Sequence, residues 1–90
     1  MADPLTVEVV AADHVVWEGE ANSVIARTTE GDIGILSRHE PFLAALVPCT
    51  AKVECTDGTT AHIKLDGGFI SVEENHVSLL SQHGELLSTA

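Results

Sequence analysis

The sequence predicts an all-β protein, a single flattened sandwich or barrel of about nine to ten short antiparallel strands. Apolar and polar residues alternate with a period of two along much of the chain, which is the pattern of half-buried strands. β-branched residues are dense in these segments, as in Ser23 to Thr29. Turn-forming pairs such as Asp57-Gly58 separate the segments at short intervals, which favours a sandwich or barrel over alternating strands and helices.

The predicted strands follow one another from the N-terminus without a convincing helix between them. The first alternates from Leu5 to Val9, and the second ends at Gly19. Asp66-Gly67-Gly68 predicts a turn or bulge, and Glu73-Glu74-Asn75 predicts another turn. The nine predicted strands cover residues 5–9, 14–18, 23–29, 33–36, 43–47, 51–55, 60–65, 69–72 and 76–80.

The composition indicates one domain that spans residues 1–90. Ninety residues suffice for one hydrophobic core, near the small end for independent stability. The chain is 44% hydrophobic but only 3% aromatic, with Trp17, Phe42 and Phe69 as its aromatic residues. We therefore expect a core built mainly from Val, Ile and Leu.

The net charge restricts the partners that the chain can bind. Fourteen acidic residues against four basic ones give a formal charge of −10. Nucleic acid and anionic membrane surfaces are poor partners for such a chain, whereas a basic protein surface would be attracted. No segment approaches the roughly 20 apolar residues that cross a bilayer, and the N-terminus lacks the features of a signal peptide. We expect the chain to stay in the compartment where it is made, without insertion into the membrane.

The sequence offers no arrangement typical of an enzyme. Its five histidines are scattered without metal-binding spacing, and Ser37 near His39 lacks a nucleophile elbow or a positioned acid. Glu30 and Asp32 could act as paired carboxylates if they were buried, but their place beside Gly31 favours an exposed acidic patch. We therefore predict no catalytic residue, no metal and no cofactor.

Cys49 and Cys55 are the two cysteines of the chain, and strand periodicity places them on the same face. Because a secretory signal is missing, we expect two unpaired thiols in a reducing compartment. A disulfide or a metal site is the alternative interpretation.

The stretch from Thr28 to Leu46 is the most distinctive part of the chain. It contains an acidic loop punctuated by glycine and then a polar corner that ends at a proline. Glycine and proline shape the backbone for presentation, which is typical of a docking surface. The acidic loop consists of Thr29, Glu30, Gly31, Asp32, Ile33 and Gly34, and the polar corner consists of Ser37, Arg38, His39, Glu40 and Pro41.

Four short motifs occur in order between Leu5 and Leu80. They are Trp17-Glu18-Gly19; Glu30-Gly31-Asp32-Ile33-Gly34-Ile35 with His39 and Pro41; Asp66-Gly67-Gly68-Phe69-Ile70-Ser71-Val72; and Asn75-His76-Val77-Ser78-Leu79-Leu80. In order and spacing these motifs resemble the N-terminal β-sandwich domain of the epsilon subunit of bacterial F-type ATP synthases. Each motif alone is weak evidence for this family, whereas the four motifs in this order are specific for it.

The resemblance implies a non-catalytic subunit of the central stalk. In this family the sandwich binds the gamma subunit, rests on the ring of c subunits and couples ion flow to ATP synthesis. Carried over by position, the acidic loop would face the c-ring, and Arg38, His39, Glu40 and Pro41 would lie near both gamma and the ring. The resemblance also implies a peripheral place in a proton-translocating complex at the cytoplasmic face of the bacterial plasma membrane.

Two departures from the family pattern bear on these expectations. Ser37-Arg38 stands where the family usually has Pro-Gly, which adds a cation and leaves the turn type open. Many epsilon subunits also continue into a C-terminal helical hairpin, whereas this sequence stops at Ala90. We expect that this chain cannot inhibit ATP hydrolysis through extended helices.

Other classes of small β protein remain open at this point. A biotinyl or lipoyl carrier domain is also small and acidic. Such a domain carries its modified lysine at a hairpin tip, whereas Lys52 and Lys64 lie within predicted strands. A generic β-sandwich interaction module of another assembly is the main alternative. A small hydrolase is the weakest, for lack of a nucleophile and base.

Overall fold

The computed structural model describes residues 3–38 and 40–89. The all-β class is confirmed, and no helix in the described ranges could span a membrane. The seven strands are β1 Leu5–Val10, β2 Val15–Thr28, β3 Gly31–Leu36, β4 Phe42–Cys55, β5 Thr60–Glu73, β6 His76–Leu80 and β7 Gly84–Thr89.

The strands form two layers that share the three long strands, β2, β4 and β5. In layer A the order is β3, the C-terminal half of β2, the C-terminal half of β4, the N-terminal half of β5, and β7. In layer B the order is the N-terminal half of β4, the C-terminal half of β5, β6, β1, and the N-terminal half of β2. Pairing of β1 with β2 closes the sheet into a flattened barrel with extents of 35 × 27 × 21 Å.

The strand count differs from the nine to ten that the sequence predicts. Three pairs of predicted strands are each one continuous strand: 14–18 joins 23–29 in β2, 43–47 joins 51–55 in β4, and 60–65 joins 69–72 in β5. Each long strand bends from one layer into the other and is paired with neighbouring strands in both layers. In β5 the bend falls at Gly67 and Gly68, with φ of +89° and +116°. The predicted turn or bulge is thus a kink within a continuous strand.

Two further features correct the prediction. β7 was not predicted, because its residues are mostly exposed and show no period of two. The prediction of purely antiparallel strands is also wrong, since β1 and β6 pair in parallel with Val7 opposite Val77. The long chain between these two strands provides the crossover that a parallel pair requires.

An aliphatic core fills the space between the layers, as the composition predicts. The fully buried side chains alternate along the strands with outward-facing residues. Burying a side chain of this size contributes roughly 1.5–3 kcal/mol. The largest are Leu5, Ile35, Ile63, Leu65, Ile70 and Leu79, with Val7, Val9, Val24, Val53, Val72 and Val77.

Trp17 and Gly19 explain the first motif in physical terms. The indole of Trp17 lies over Gly19, where an added Cβ would come within 3.0 Å of Cη2 of the ring. Trp17 packs half-buried against the core. Glycine at position 19 therefore leaves the space that the tryptophan occupies.

Candidate functional site

The acidic loop is shorter than the sequence predicts. Only Thr29 and Glu30 form the turn, and Gly31 already belongs to β3. Residues 31–34 pair with β2, so β3 begins two residues before the predicted strand 33–36. The predicted contact of this segment with a partner stays a prediction. Gly31 has φ of +118°, which lets the chain reverse within two residues.

Side-chain and backbone hydrogen bonds hold this turn on both sides. The Thr28 hydroxyl donates to the Gly31 carbonyl over 3.0 Å and accepts from the Glu30 N–H over 3.1 Å. The Thr29 N–H donates to the Ala45 carbonyl of β4 over 3.0 Å. The turn is therefore fixed to its own strands and to layer B.

The two carboxylates of the acidic loop have different surroundings. Asp32 Oδ1 accepts a hydrogen bond from Arg27 Nε over 2.8 Å on the exposed face of layer A. This hydrogen bond and the charge of Arg27 lower the pKa of Asp32. Glu30 is exposed at the tip of the turn. The charge that the turn presents to a partner is thus mainly that of Glu30.

Hydrogen bonds to Asn75, which the sequence places in a turn and at the start of the fourth motif, hold the polar corner. Arg38 N–H donates to Asn75 Oδ1 over 2.6 Å, and Asn75 Nδ2 donates to Ser37 Oγ over 3.5 Å. The Asn75 carbonyl accepts from the Thr6 N–H over 2.8 Å. One asparagine therefore joins the corner, the β5–β6 turn and β1.

The rest of the corner is only partly described. His39 lies outside the described residues, so its predicted role stays a prediction. Glu40 and Pro41 are exposed and lead into β4. Arg38 is exposed and has φ of 65°, the left-handed conformation expected of the glycine that the family usually has here.

The turn and the corner lie at opposite ends of β3, separated by about 17 Å of extended strand. Both border the N-terminal half of β4: the turn bonds to Ala45, and the corner runs into Phe42. The structure therefore places the two predicted elements along the same edge of layer B without bringing them into one cluster.

An apolar band that local sequence patterns do not predict crosses the outward face of layer B. Cross-strand register places Ala45 opposite Phe69, Phe69 opposite Leu80, Leu80 opposite Val10, and Val10 opposite Val15. Phe69 is 55% exposed, Leu80 46% and Val15 52%. Leu43, at 72%, extends the band toward the polar corner. The apolar band consists of Val10, Val15, Leu43, Ala45, Phe69 and Leu80.

Carboxylates lie beside the apolar band on the same face. Glu8 is directly opposite Glu18, and Glu20 follows on the same side of β2. Glu73 of β5 lies directly opposite His76 of β6. No lysine or arginine occurs in the described strands of layer B, so this face carries only negative formal charge. These acidic rows are Glu8, Glu18, Glu20 and Glu73.

The outward face of layer A has a different chemistry. Three of the four basic residues of the chain lie there, namely Arg27, Lys52 and Lys64. They are interspersed with the carboxylates of Asp32 and Glu54. The outward face of layer A thus carries cations between its carboxylates, together with the exposed Ile25 and Leu36, whereas the described strands of layer B carry no lysine or arginine.

The described residues hold no centre suited to catalysis. No group of three or more His, Cys, Asp or Glu among them could hold a metal ion. Cys49 and Cys55 are free thiols, half-buried and buried respectively. Lys52 and Lys64 lie within β4 and β5, as predicted, and not at hairpin tips. The distinctive features of the described residues are therefore surface features, namely the turn, the polar corner and the apolar band.

Comparison with known proteins identifies the family. The family described as ATP synthase, Delta/Epsilon chain, beta-sandwich domain matches residues 4–86. This chain belongs to that family. The ATP synthase epsilon chain of Cutibacterium acnes is 52% identical over 81 residues, which cover 89% of this chain and 56% of the relative. The epsilon chain of Streptomyces avermitilis is 48% identical over 86 residues, covering 96% of this chain and 69% of the relative.

The length of chain shared with the relatives varies. This chain spans little more than half of the Cutibacterium acnes protein. It spans 98% of the epsilon chain of Frankia casuarinae, to which it is 43% identical over 84 residues, 92% of this chain.

A solved structure shares the fold. A chain in the cryo-EM structure of the Euglena gracilis mitochondrial ATP synthase, OSCP/F1/c-ring, superposes with a TM-score of 0.87 at 23% sequence identity. The match covers 93% of this chain and 54% of that chain.

Proposed function

We propose that this domain is a non-catalytic part of the central stalk of a rotary, proton-translocating ATP synthase. It binds the gamma subunit and the ring of c subunits and couples ion flow to ATP synthesis. The observation that carries the proposal is the match of residues 4–86 to the delta/epsilon β-sandwich family. The domain then works as a peripheral part of a membrane complex at the cytoplasmic face of the bacterial plasma membrane.

The turn at Thr29 and Glu30 is the part of the domain that faces the c-ring. Its hydrogen bonds to Gly31 and Ala45 support this role, because a contact that transmits torque must resist deformation. The exposed carboxylate of Glu30 complements cationic loops of a ring. Such complementarity fixes the relative position of the two partners and the specificity of the contact more than it raises the affinity.

The polar corner lies near both gamma and the ring. Arg38 supplies a cation, and the hydrogen bond from its N–H to Asn75 fixes the backbone from which it projects. His39, Glu40 and Pro41 complete the corner. In a domain with a formal charge of −10, this exposed cation allows a contact with an acidic partner residue.

Functional reconstitution tests the proposal. Membranes stripped of their own epsilon subunit are expected to recover ATP-driven proton pumping when this chain is added. Glu30→Lys lowers the recovered pumping because it places a cation against the cationic loops of the ring. Glu54→Lys, which makes the same charge change on the outward face of layer A, leaves it unaltered. A folded chain that restores no pumping and binds neither gamma nor the ring contradicts the proposal.

A further inference from the structure

We infer that Asn75 is the positioning residue of the polar corner, and that its side-chain amide sets where the Arg38 cation meets an acidic partner residue. Asn75 acts in this role through Ser37 and Arg38, to which it is hydrogen-bonded, and not by contacting the partner. This inference rests on the proposed function, because it names the residue on which the contact of the corner depends.

Asn75 is itself held firmly by the strands around it. Glu74 and Asn75 form the two-residue turn between β5 and β6, with φ of 48° and 61°, and the pair of Glu73 with His76 closes this turn. Positive φ at both turn residues matches the twist of the flanking strands, and asparagine tolerates it better than most residues that carry a side chain. The Asn75 carbonyl also accepts the Thr6 N–H of β1 over 2.8 Å. The backbone of Asn75 is therefore fixed by β5, β6 and β1.

The side chain of Asn75 matches the corner at two atoms. A backbone N–H can only donate, so the oxygen of the amide faces Arg38, and the distance from Arg38 N to Oδ1 is 2.6 Å. The amide nitrogen is then left to donate to Ser37 Oγ, over 3.5 Å. An amide presents this acceptor and this donor side by side. Because Ser37 and Asn75 are both half-buried, water competes less for these bonds than it does on an open surface.

The Arg38 cation depends on this support for a defined position. Its side chain is exposed, long and flexible, and its backbone lies in the left-handed region. With the N–H fixed, only the side chain has to be ordered when a partner binds. Without that bond the backbone of the corner has to be ordered as well, which lowers the affinity.

The bond also joins the two layers of the sandwich. The corner follows β3 of layer A, whereas Asn75 lies between β5 and β6 of layer B, 37 positions further along the chain. A force on Arg38 is thus transmitted to β5, β6 and β1 through Asn75, in addition to the strands on either side of the corner. Such a link suits a contact that transmits torque.

Amide hydrogen exchange of the 90-residue chain tests the positioning itself. The Arg38 N–H is expected to exchange about tenfold faster or more in Asn75→Gly, because this variant removes the acceptor. Glycine adopts the φ of position 75 freely, so the turn is kept, and circular dichroism verifies the fold. Glu74→Gly is the matched control in the same turn and leaves the exchange of Arg38 unaltered. Asn75→Asp keeps Oδ1 and with it the slow exchange.

Reconstitution tests the functional consequence. The quantity measured is the concentration of chain that half-restores ATP-driven proton pumping in membranes stripped of their own epsilon subunit. Asn75→Gly is expected to raise it by about 2- to 10-fold, because the corner is then ordered only on binding. Arg38→Gln raises it too, since the cation is removed. Glu74→Gly and Asn75→Asp keep the native value.

The double variant separates positioning from a merely structural role. Asn75 accepts from the backbone N–H of Arg38, which Arg38→Gln retains. If Asn75 positions the cation, Arg38→Gln has little further effect on pumping in the Asn75→Gly background. If Asn75 only stabilises the fold, the two effects add.

The outcomes distinguish this inference from the proposed function. If the native chain restores no pumping, both are overturned, whatever the exchange rates. If the native chain restores pumping but Asn75→Gly equals it, or the effects of Asn75→Gly and Arg38→Gln add fully, only this inference fails. Equal exchange of the Arg38 N–H in the native chain and in Asn75→Gly overturns it as well.

Discussion

Arg38 occupies a backbone conformation that suits glycine. Its φ of 65° costs a non-glycine residue about 1–2 kcal/mol. The short hydrogen bond from its N–H to Asn75 Oδ1 offsets part of this cost by holding the chain in place. The family pattern of glycine at this position therefore has a physical reason, and this chain departs from it at a cost in stability.

Arg38→Gly is expected to stabilise the domain. The glycine relieves the strain but adds freedom to the unfolded chain, so the net gain in the free energy of unfolding is about 0.5–1 kcal/mol. Arg38→Ala is the control, because it removes the same charge and keeps the strain. Urea denaturation of the two variants measures the difference. Equal stability of the glycine and alanine variants would contradict the assignment of strain.

Asp57 is expected to titrate below its ordinary pKa. Its Oδ1 accepts hydrogen bonds from the Thr59 hydroxyl over 2.6 Å and from the Thr59 N–H over 2.9 Å. These bonds, the one from the hydroxyl first, hold the pKa of Asp57 below 3.8. Thr59→Val removes the hydroxyl and moves the pKa back toward 3.8, which an NMR titration of the carboxyl carbon measures.

The lowered pKa of Asp57 also fixes the sign of a pH effect. A depressed folded-state pKa gives stability that is present above the unfolded value of 3.8 and is lost as the pH falls through the folded value. Asp57→Asn is therefore expected to flatten the acid limb of the stability curve. An Asp57 that titrates at or above 3.8 in the native chain would refute both expectations.

At the scale of the element, the kink in β5 requires glycine at position 68. A Cβ added there would collide with the carbonyl oxygen of Leu80 in β6, and φ is +116°. Both obstacles are backbone features, so no side-chain rotation relieves them. The Asp66-Gly67-Gly68 motif thus marks the place where β5 passes from layer A to layer B.

Gly68→Ala is expected to destabilise the domain by about 2–4 kcal/mol, because β5 and β6 must separate to admit the methyl group. Gly34→Ala is the control, since nothing lies within 4 Å of an added Cβ there. Thermal unfolding measures both. A small and equal loss in the two variants would show that the kink tolerates a side chain.

The sequence predicts the elements of this protein better than their connections. Local alternation is enough to locate six of the seven strands. It places breaks at residues 19–22, 48–50 and 66–68, because a strand that changes layer interrupts its own periodicity. The exposed β7 carries no periodic signal, and the parallel pairing of β1 with β6 depends on a crossover that local patterns do not encode.

The same limit applies to the candidate site. Motif order suffices to single out the turn at Glu30 and the corner at Arg38. The apolar band is different, because Phe69, Leu80 and Val15 become neighbours only through cross-strand register. Asn75 likewise meets Arg38 from 37 positions away in the chain.

At the scale of the whole molecule, charge is unevenly distributed. The formal charge of −10 is carried by 90 residues, and three of the four basic residues lie on the outward face of layer A. Layer B carries the directly opposed Glu8 and Glu18 without a cation in its strands. The isolated domain thus bears a repulsion that a basic partner or dissolved salt would reduce.

Salt is expected to raise the Tm of the isolated domain. The Debye length falls from about 30 Å at 0.01 M to about 8 Å at 0.15 M, so added salt screens the repulsion among carboxylates. Glu18→Gln raises the Tm at low salt and flattens its rise with salt, because it removes one member of the opposed pair. Glu54→Gln changes the net charge equally without touching that pair, and its effect is smaller. Calorimetric scans over this salt range measure all three chains. A Tm that falls with salt, or equal effects of the two variants, would show that repulsion across β1 and β2 is not what limits the stability of the domain.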